Sequence, residues 1–267
     1  MKKSKLLILA VVTAIAFSSC ETLDNLTSSL KSSFSDTKKE SSSQNTDKGT
    51  SLKNVSRNTN SSQSSVSLDA DKWDIKALDT ARNVDYLSEI EKDVVLEMNK
   101  ARSNPALYAE LYITPRLKKF NGKTYNGRLL TQEGAAVVEE CAKFMSKQKP
   151  LSILKAEKGL SLAAQKHSST QGETDQTGHT GVDGSTPFKR IEKYGTYKTA
   201  GENIAYGTNS GLEIVVDLLI DDGVSSRGHR KNIMNSQFDS TGVGYTKKHK
   251  TYGSVCVITY AGGYKDK

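Results

Sequence analysis

Gly178-His179-Thr180-Gly181, Gly184-Ser185-Thr186-Pro187-Phe188-Lys189-Arg190, Ala200-Gly201-Glu202-Asn203-Ile204-Ala205-Tyr206-Gly207 and Arg227-Gly228-His229-Arg230-Lys231-Asn232-Ile233-Met234-Asn235 follow one another in that order. Each of His179, Glu202 and His229 stands beside a glycine. Glycine removes the side chain that would keep backbone away from a neighbour or forbid a sharp turn. Two imidazoles and a carboxylate set among such positions read as a site.

Outward from this stretch, the pattern alternates irregularly between helix and strand. On the N-terminal side, Ser88 and Glu91 have capping-box spacing, and Ile90, Val94, Val95 and Met98 then recur at helical intervals, predicting a helix that ends near Arg102. Asn104-Pro105 reads as the cap and first position of a short helix through Tyr112. Gln132 to Lys147 places Val137, Val138, Cys141, Phe144 and Met145 on one side, and Pro150 stops it. A further helix is expected over about Leu154 to Gln171, with Leu160, Ala163, Ala164 and His167 inward. Thr186-Pro187 opens a short helix ending at Gly195, and Ser210 with Glu213 forms a second capping box for a helix through Ile220. Gly242 to Thr246 and Tyr252 to Tyr260 then read as two antiparallel strands joined by the polar turn Lys247 to Thr251. No repeat of fixed period is present.

The front of the chain is of another kind. Lys2, Lys3 and Lys5 precede an apolar run, Leu6 to Phe17, too short to span a bilayer, and Ser18-Ser19-Cys20 closes it with small residues. This resembles a bacterial lipoprotein signal, which implies lipidation of Cys20 and an anchor in the membrane. Fifteen of the fifty residues from 21 to 70 are serine, and the apolar ones have no period, so this segment is expected to stay unfolded. As a tether it would reach about 40 Å. Residues 71–86 read as a lead-in to one domain over 87–264.

The formal charge is +8, of which the first seventy residues carry +3. Basic residues lie interspersed with acidic ones, apart from Arg116 to Lys119 and Lys247 to Lys250. That argues against nucleic acid as a partner and for weak attraction to anionic envelope polymers. Cys141 and Cys256 fall among apolar neighbours, one in a helical and one in a strand pattern, and read as buried free thiols rather than a pair.

With these residues assembled, the chain resembles the CAP superfamily of cysteine-rich secretory, antigen 5 and pathogenesis-related proteins, in its bacterial extracellular branch. The likeness runs from about Leu87 to Tyr264. Asn99-x-x-Arg102 matches the early N-x-x-R element, and His179-Thr180 with Asp183-Gly184-x-x-Pro187-Phe188 matches the first site histidine and its loop. Gly201-Glu202-Asn203-Ile204 matches the G-E-N-[IL] box, Gly228-His229-Arg230-x-Asn232-Ile233 the second histidine motif, and Gly242-Val243-Gly244-Tyr245 the strand that follows. The resemblance implies an α+β fold, a three-layer α-β-α sandwich on a central antiparallel sheet, with a cleft of two histidines and two acidic residues. His179, Glu202 and His229 would lie in that cleft. Asp222 is the substitute for the second acid, because Leu218 to Gly223 replaces the family's W-x-x-E pattern.

Two imidazoles in one cleft could ligate Zn²⁺ or another divalent metal, with Glu202 on a bound water or behind one ring. Two protein ligands make a weak site, and binding would be pH-sensitive because the ligating imidazoles must be neutral. Alternatively the same three side chains bond one another and stitch loops together without metal. Hydrolysis with Glu202 as base is the competing reading, although H-E-x-x-H and G-x-S-x-G are both absent and Ser225 and Ser226 read as turn formers. His167 is expected in the core and His249 in solvent, while Tyr194 and Tyr206 could line the cleft or fill the core. The function so implied is a lipid-anchored, periplasmic or surface-exposed domain that binds a lipid, cell-wall component or protein.

Overall fold

The computed structural model describes residues 70–267 together with the two-residue strand Leu7–Ile8, which pairs in parallel with Leu129–Leu130. The expected signal, the expected lipidation site Cys20 and the Ser-rich segment otherwise lie outside the described residues.

The expected α+β sandwich is present. Four strands form the central sheet: β1 (Lys155–Ala156), β2 (Thr199–Tyr206), β3 (Ser240–Thr246) and β4 (Val255–Gly262). Their spatial order is β1-β3-β4-β2, antiparallel except for the short β1–β3 pair. Strand alternation divides the side chains between two helical layers. Gly242, Thr259 and Glu202 lie in register across β3, β4 and β2 and face α3 (Lys158–Thr174). Val243, Ile258 and Asn203, one step along, face α1 (Glu89–Ser103) and α5 (Gly211–Ile220).

The α3 face depends on missing side chains. A Cβ on Gly242 would stand 2.1 Å from the backbone of Leu160 and Ser161, and one on Gly244 2.3 Å from Gln165 N. Helix and sheet therefore meet backbone to backbone, and Thr259 Oγ1 donates to Leu160 O (3.0 Å) across the junction. The opposite face holds the main core, where Val94, Val95 and Met98 of α1 pack with Ile214, Val215 and Leu218 of α5 and with Val243, Ile258 and Tyr260. Trp73, Leu78 and Ala81 join this core, so the lead-in is part of the packed unit.

Several element boundaries differ from the sequence expectation, each for a local reason. The Ser88 capping box forms, with Ser88 N donating to Glu91 Oε2 (2.7 Å). The Ser210 box does not. Glu213 turns instead to Arg116, which also holds Asp217, and Ser210 makes no side-chain cap. Helix α2 (Ala135–Lys147) starts three residues after Gln132 because Asp222 already accepts from the Gln132 and Glu133 amides and Gly134 turns with φ +72°. Helix α3 starts at Lys158 because Lys155 and Ala156 pair with Ser240 and Thr241. The short helix after Thr186, α4 (Pro187–Glu192), stops before Gly195, which enters a two-residue strand paired with Lys265–Asp266.

The N-x-x-R element is a structural knot. Asn99 Nδ2 donates to Leu78 O (2.8 Å), and Asn99 Oδ1 accepts from Leu154 N (2.7 Å). Arg102, fully buried, donates to the carbonyls of Ser152, Ile233, Asn235 and Phe238 at 2.7–2.9 Å. Burial pushes its guanidinium down to about 10. Five donors in a rigid fork suit an arginine to bind several carbonyls at once, and here they fix the end of α6 (Gly228–Ile233), the helix that carries His229.

Candidate functional site

The site residues form two histidine–carboxylate pairs, one served from each face of the edge strand β2. Glu202 points toward α3. Its Oε1 accepts from His179 Nδ1 (2.9 Å), and Arg190 of α4 grips both oxygens through Nη2 (3.0 and 2.8 Å). All three side chains are buried. Arg190 Nη1 also donates to Ser185 O (2.9 Å), so the loop from Gly181 to Ser185 is tied to the same cluster. Burial alone would raise the Glu202 carboxyl, but the bond from His179 and the Arg190 charge outweigh it and hold the group below the usual carboxylate range. Glu202 is thus ionised, with both oxygens engaged.

Around this pair the loop from Asp175 to Gly178 is held by side chains of α3 and β2. Gly178 O accepts from His167 Nε2 (2.9 Å), and Gly178 N donates to Tyr206 Oη (2.9 Å), which in turn donates to Gln171 Oε1 (2.9 Å). His167 is buried as expected, and burial pushes its imidazole down. Tyr206 belongs to this support rather than to an open wall, while Tyr194 packs beside a small cluster of Leu160, Ala163 and Ile191. His249, expected in solvent, is buried. Its Nδ1 lies 2.8 Å from Asp175 Oδ1 and its Nε2 donates to Gln176 O (3.1 Å), because the Lys247–Thr251 turn folds over this loop.

The second pair is supported from the other face, through Asn203. Asp221 ends α5 in the left-handed region (φ +61°), and its carboxylate then serves the start of α6: Oδ2 accepts from His229 N (2.9 Å) and Oδ1 from His229 Nδ1 (2.5 Å). A short acidic side chain tolerates that backbone region and caps a helix start well. Asn203 Nδ2 reaches His229 O (3.1 Å), and Asn232 Nδ2 binds Asn203 Oδ1 (2.8 Å) and Glu202 O (3.3 Å). The two pairs are thus joined through Asn203, Asn232 and the strand backbone, and Asp221 is the sole residue bonded to the His229 ring among the described residues.

The second acid differs from the expected one. Asp222, expected in the cleft, faces away, with both oxygens on the amides of Gln132 and Glu133. Its neighbour Asp221 is the acid at His229. Sequence reasoning also missed Arg190, although it closes the Gly184 to Arg190 phrase. A buried carboxylate needs a cation or several donors, and that requirement could have directed attention to it.

One polar atom stands out. His229 Nε2 is buried and has no hydrogen-bond partner among the described residues. With Nδ1 fixed by a carboxylate, the ring has the orientation of a metal-ligating histidine. Among the described residues, however, no group of three or more His, Cys, Asp or Glu is arranged to hold a metal ion. Cys141 and Cys256 are free and buried, as expected, and Cys141 contacts Leu219 O (3.1 Å).

Comparisons with known proteins agree with the motifs. Residues 96–260 match the cysteine-rich secretory protein family. The uncharacterized protein YkwD of Bacillus subtilis (strain 168) is 37% identical over 100 residues, covering 37% of this chain and 36% of that protein. An extracellular protein of Bacillus anthracis containing an SCP domain is 25% identical with a TM-score of 0.35, over 42% of this chain and 34% of that one. An outer surface protein of Borrelia burgdorferi is 22% identical with a TM-score of 0.36, over 48% of this chain and 87% of that one. The chain thus spans about a third of the length of YkwD and of the Bacillus anthracis protein. Carrying the histidine motifs, the G-E-N-I box and the N-x-x-R knot in order within the matched span, the chain belongs to the cysteine-rich secretory protein, or CAP, family.

Proposed function

We propose that this protein is an exported, lipid-anchored CAP domain that works by binding a component of the cell envelope and not by hydrolysis. The observation that carries the choice between binding and hydrolysis is the state of Glu202. A general base needs access to the group that gives up the proton and an affinity for that proton. Glu202 has its oxygens on His179 and Arg190 and is held ionised at low proton affinity. Its role is to position the His179 loop. The anchor rests on Lys2 to Cys20, and display at a distance rests on the Ser-rich segment that follows.

Co-sedimentation of the soluble mature chain with purified envelope tests the proposal. Binding is expected for the wild type, and a protein that stays wholly in the supernatant would overturn it. In the same preparation Cys20→Ala should shift the full chain from the membrane to the soluble fraction. Turnover of an ester or amide that Glu202→Gln abolishes in a folded protein would restore hydrolysis.

The unpartnered Nε2 of His229 favours a second reading, in which the two histidines hold Zn²⁺ or a similar ion. His229 would supply Nε2 with Asp221 orienting the ring, and His179 the second ligand. The metal would supply charge to attract an anionic ligand. Such a two-histidine site binds weakly, and calorimetric heat on Zn²⁺ titration should vanish in His229→Ala; equal heat in both proteins removes this reading.

A further inference from the structure

A concavity that shares no lining residue with the His179 and Glu202 cluster runs between the segment Asp85 to Ser88, the middle of α3 and the end of β3. It is an open groove of about 530 Å³, within the size range of ligand clefts, roughly 300–1,000 Å³. On a chain of formal charge +8, its lining holds two carboxylates, Asp85 and Glu91, and no lysine or arginine among the described residues.

The hydrogen-bonding capacity of the lining is one-sided. Tyr86 Oη donates to Ala156 O (3.0 Å) and Tyr245 Oη to Thr208 O (3.2 Å). Ser168 Oγ donates to Gln165 O (3.1 Å), Ser169 Oγ to Glu173 Oε1 (3.1 Å) and Ser88 Oγ to Glu91 Oε2 (2.8 Å). Gln165 Nε2 donates to Tyr86 O (2.9 Å) and Glu91 Oε2 (3.4 Å). The protein has used these donors itself. What remains is chiefly acceptors: the second lone pairs of Ser88 and Ser169, Gln165 Oε1, and the carboxylate of Asp85, which is exposed and makes no hydrogen bond or ion pair among the described residues; the Thr246 hydroxyl, an acceptor for Lys248 N, still has its proton to give. The two tyrosine rings, both half-buried, are fixed by their tethered hydroxyls, so a ligand laid against them costs little side-chain entropy.

A groove rich in acceptors, with an unpaired carboxylate, two fixed aromatic rings and no basic side chain, favours a ligand rich in donors, positively charged, and with apolar faces. We propose that the groove binds an amino sugar chain. Its hydroxyls donate to the scattered acceptors, its ring C–H faces lie on Tyr86 and Tyr245, and a protonated amine meets Asp85. A lysine-rich peptide would satisfy Asp85 and bring backbone amides to the acceptors, but it has no flat C–H ring face to lie on Tyr86 and Tyr245. This proposal stands on the groove alone. Loss of envelope binding with intact amino-sugar binding would sink the earlier proposal and leave this one.

The test is titration of the mature protein, by calorimetry and by NMR, with hexaglucosamine, its fully N-acetylated counterpart and hexalysine. Hexaglucosamine should bind at least about tenfold more tightly than the acetylated oligomer, a charged hydrogen bond being the difference, and more tightly than hexalysine, which keeps that bond but offers no ring faces to the tyrosines. Asp85→Asn should weaken it by a similar factor with the melting temperature unchanged, and Ser169→Leu, which projects a larger side chain into the groove, should abolish binding. Absence of binding, equal affinity for the acetylated oligomer or for hexalysine, or indifference to both substitutions in a folded protein would each overturn the proposal.

Discussion

Replacing Arg190 with methionine isolates the physics of the His179 pair. The substitution keeps most of the aliphatic volume and removes the charge that Nη2 places 2.8 Å from Glu202 Oε2. Glu202 is 2% exposed and Arg190 4%, so little solvent screens the loss. Breaking a buried pair from one side typically costs about 3–5 kcal/mol, chiefly because the partner charge is left uncompensated. His179 retains one bond to the carboxylate, which places the expectation toward about 3 kcal/mol at pH 7.5. The pH dependence has a definite sign. In the wild type the lowered Glu202 pKa contributes stability that is present above the unfolded value of 4.5 and is lost as pH falls through the folded one. In Arg190→Met the carboxyl rises instead, so the deficit against wild type should shrink on acidification. Urea denaturation at pH 7.5 and 5 measures both, with Arg190→Met/Glu202→Gln as the control that removes the stranded charge. Recovery of more than half the loss is expected in the double variant. A single variant within about 1 kcal/mol of wild type, the scale of an exposed pair, or a double variant no better than the single, would refute the assignment.

Gly242→Ala should destabilise by about 3 kcal/mol or more, since its Cβ would meet helix backbone at 2.1 Å and must separate α3 from the sheet, an overpacking at the upper end of the usual range; an unchanged urea midpoint would show the contact to be yielding. His167 is buried with its imidazole pushed down, so the unfolded chain binds the proton more readily and stability should fall as pH drops below the unfolded value of 6.5. His167→Gln should flatten the urea midpoint between pH 7.5 and 5.5. Burial raises the Cys141 thiol to about 11 and the Cys256 thiol further still, so in Cys20→Ser protein an aromatic disulfide reagent should label neither thiol until denaturant is added.

What could be read in advance divides along a physical line. The Ser88 box was legible because cap and partner sit three residues apart and both bonds are local. Gly242-Val243-Gly244 was legible as strand, but not the helix backbone that the structure brings against it. The choice of Asp221 over Asp222 was not legible. The two acids are adjacent, and the left-handed turn at Asp221 decides which carboxylate meets His229 and which meets the Gln132 amide. Glu213 had the spacing of a cap, yet the distant Arg116 claimed it. His249 lay in a lysine-rich turn, and polarity of sequence neighbours does not reveal that the turn folds back onto Asp175 and Gln176. Bonds within one turn of chain follow from spacing, whereas partners from other elements emerge only with the packed fold.

The order of the sheet has a consequence for how the chain must assemble. Strand β4 is the latest of the four along the polypeptide, yet it occupies an interior position, pairing with β3 on one side and β2 on the other. A chain emerging N-terminus first therefore cannot join β2 to β3 until Val255–Gly262 has followed, and until then the strand that presents Glu202 and Asn203 lacks the neighbour it pairs with along its whole length. Collapse is deferred to the end of synthesis, which keeps an unpaired strand exposed to aggregation but also leaves the polypeptide threadable through a narrow pore for most of its length.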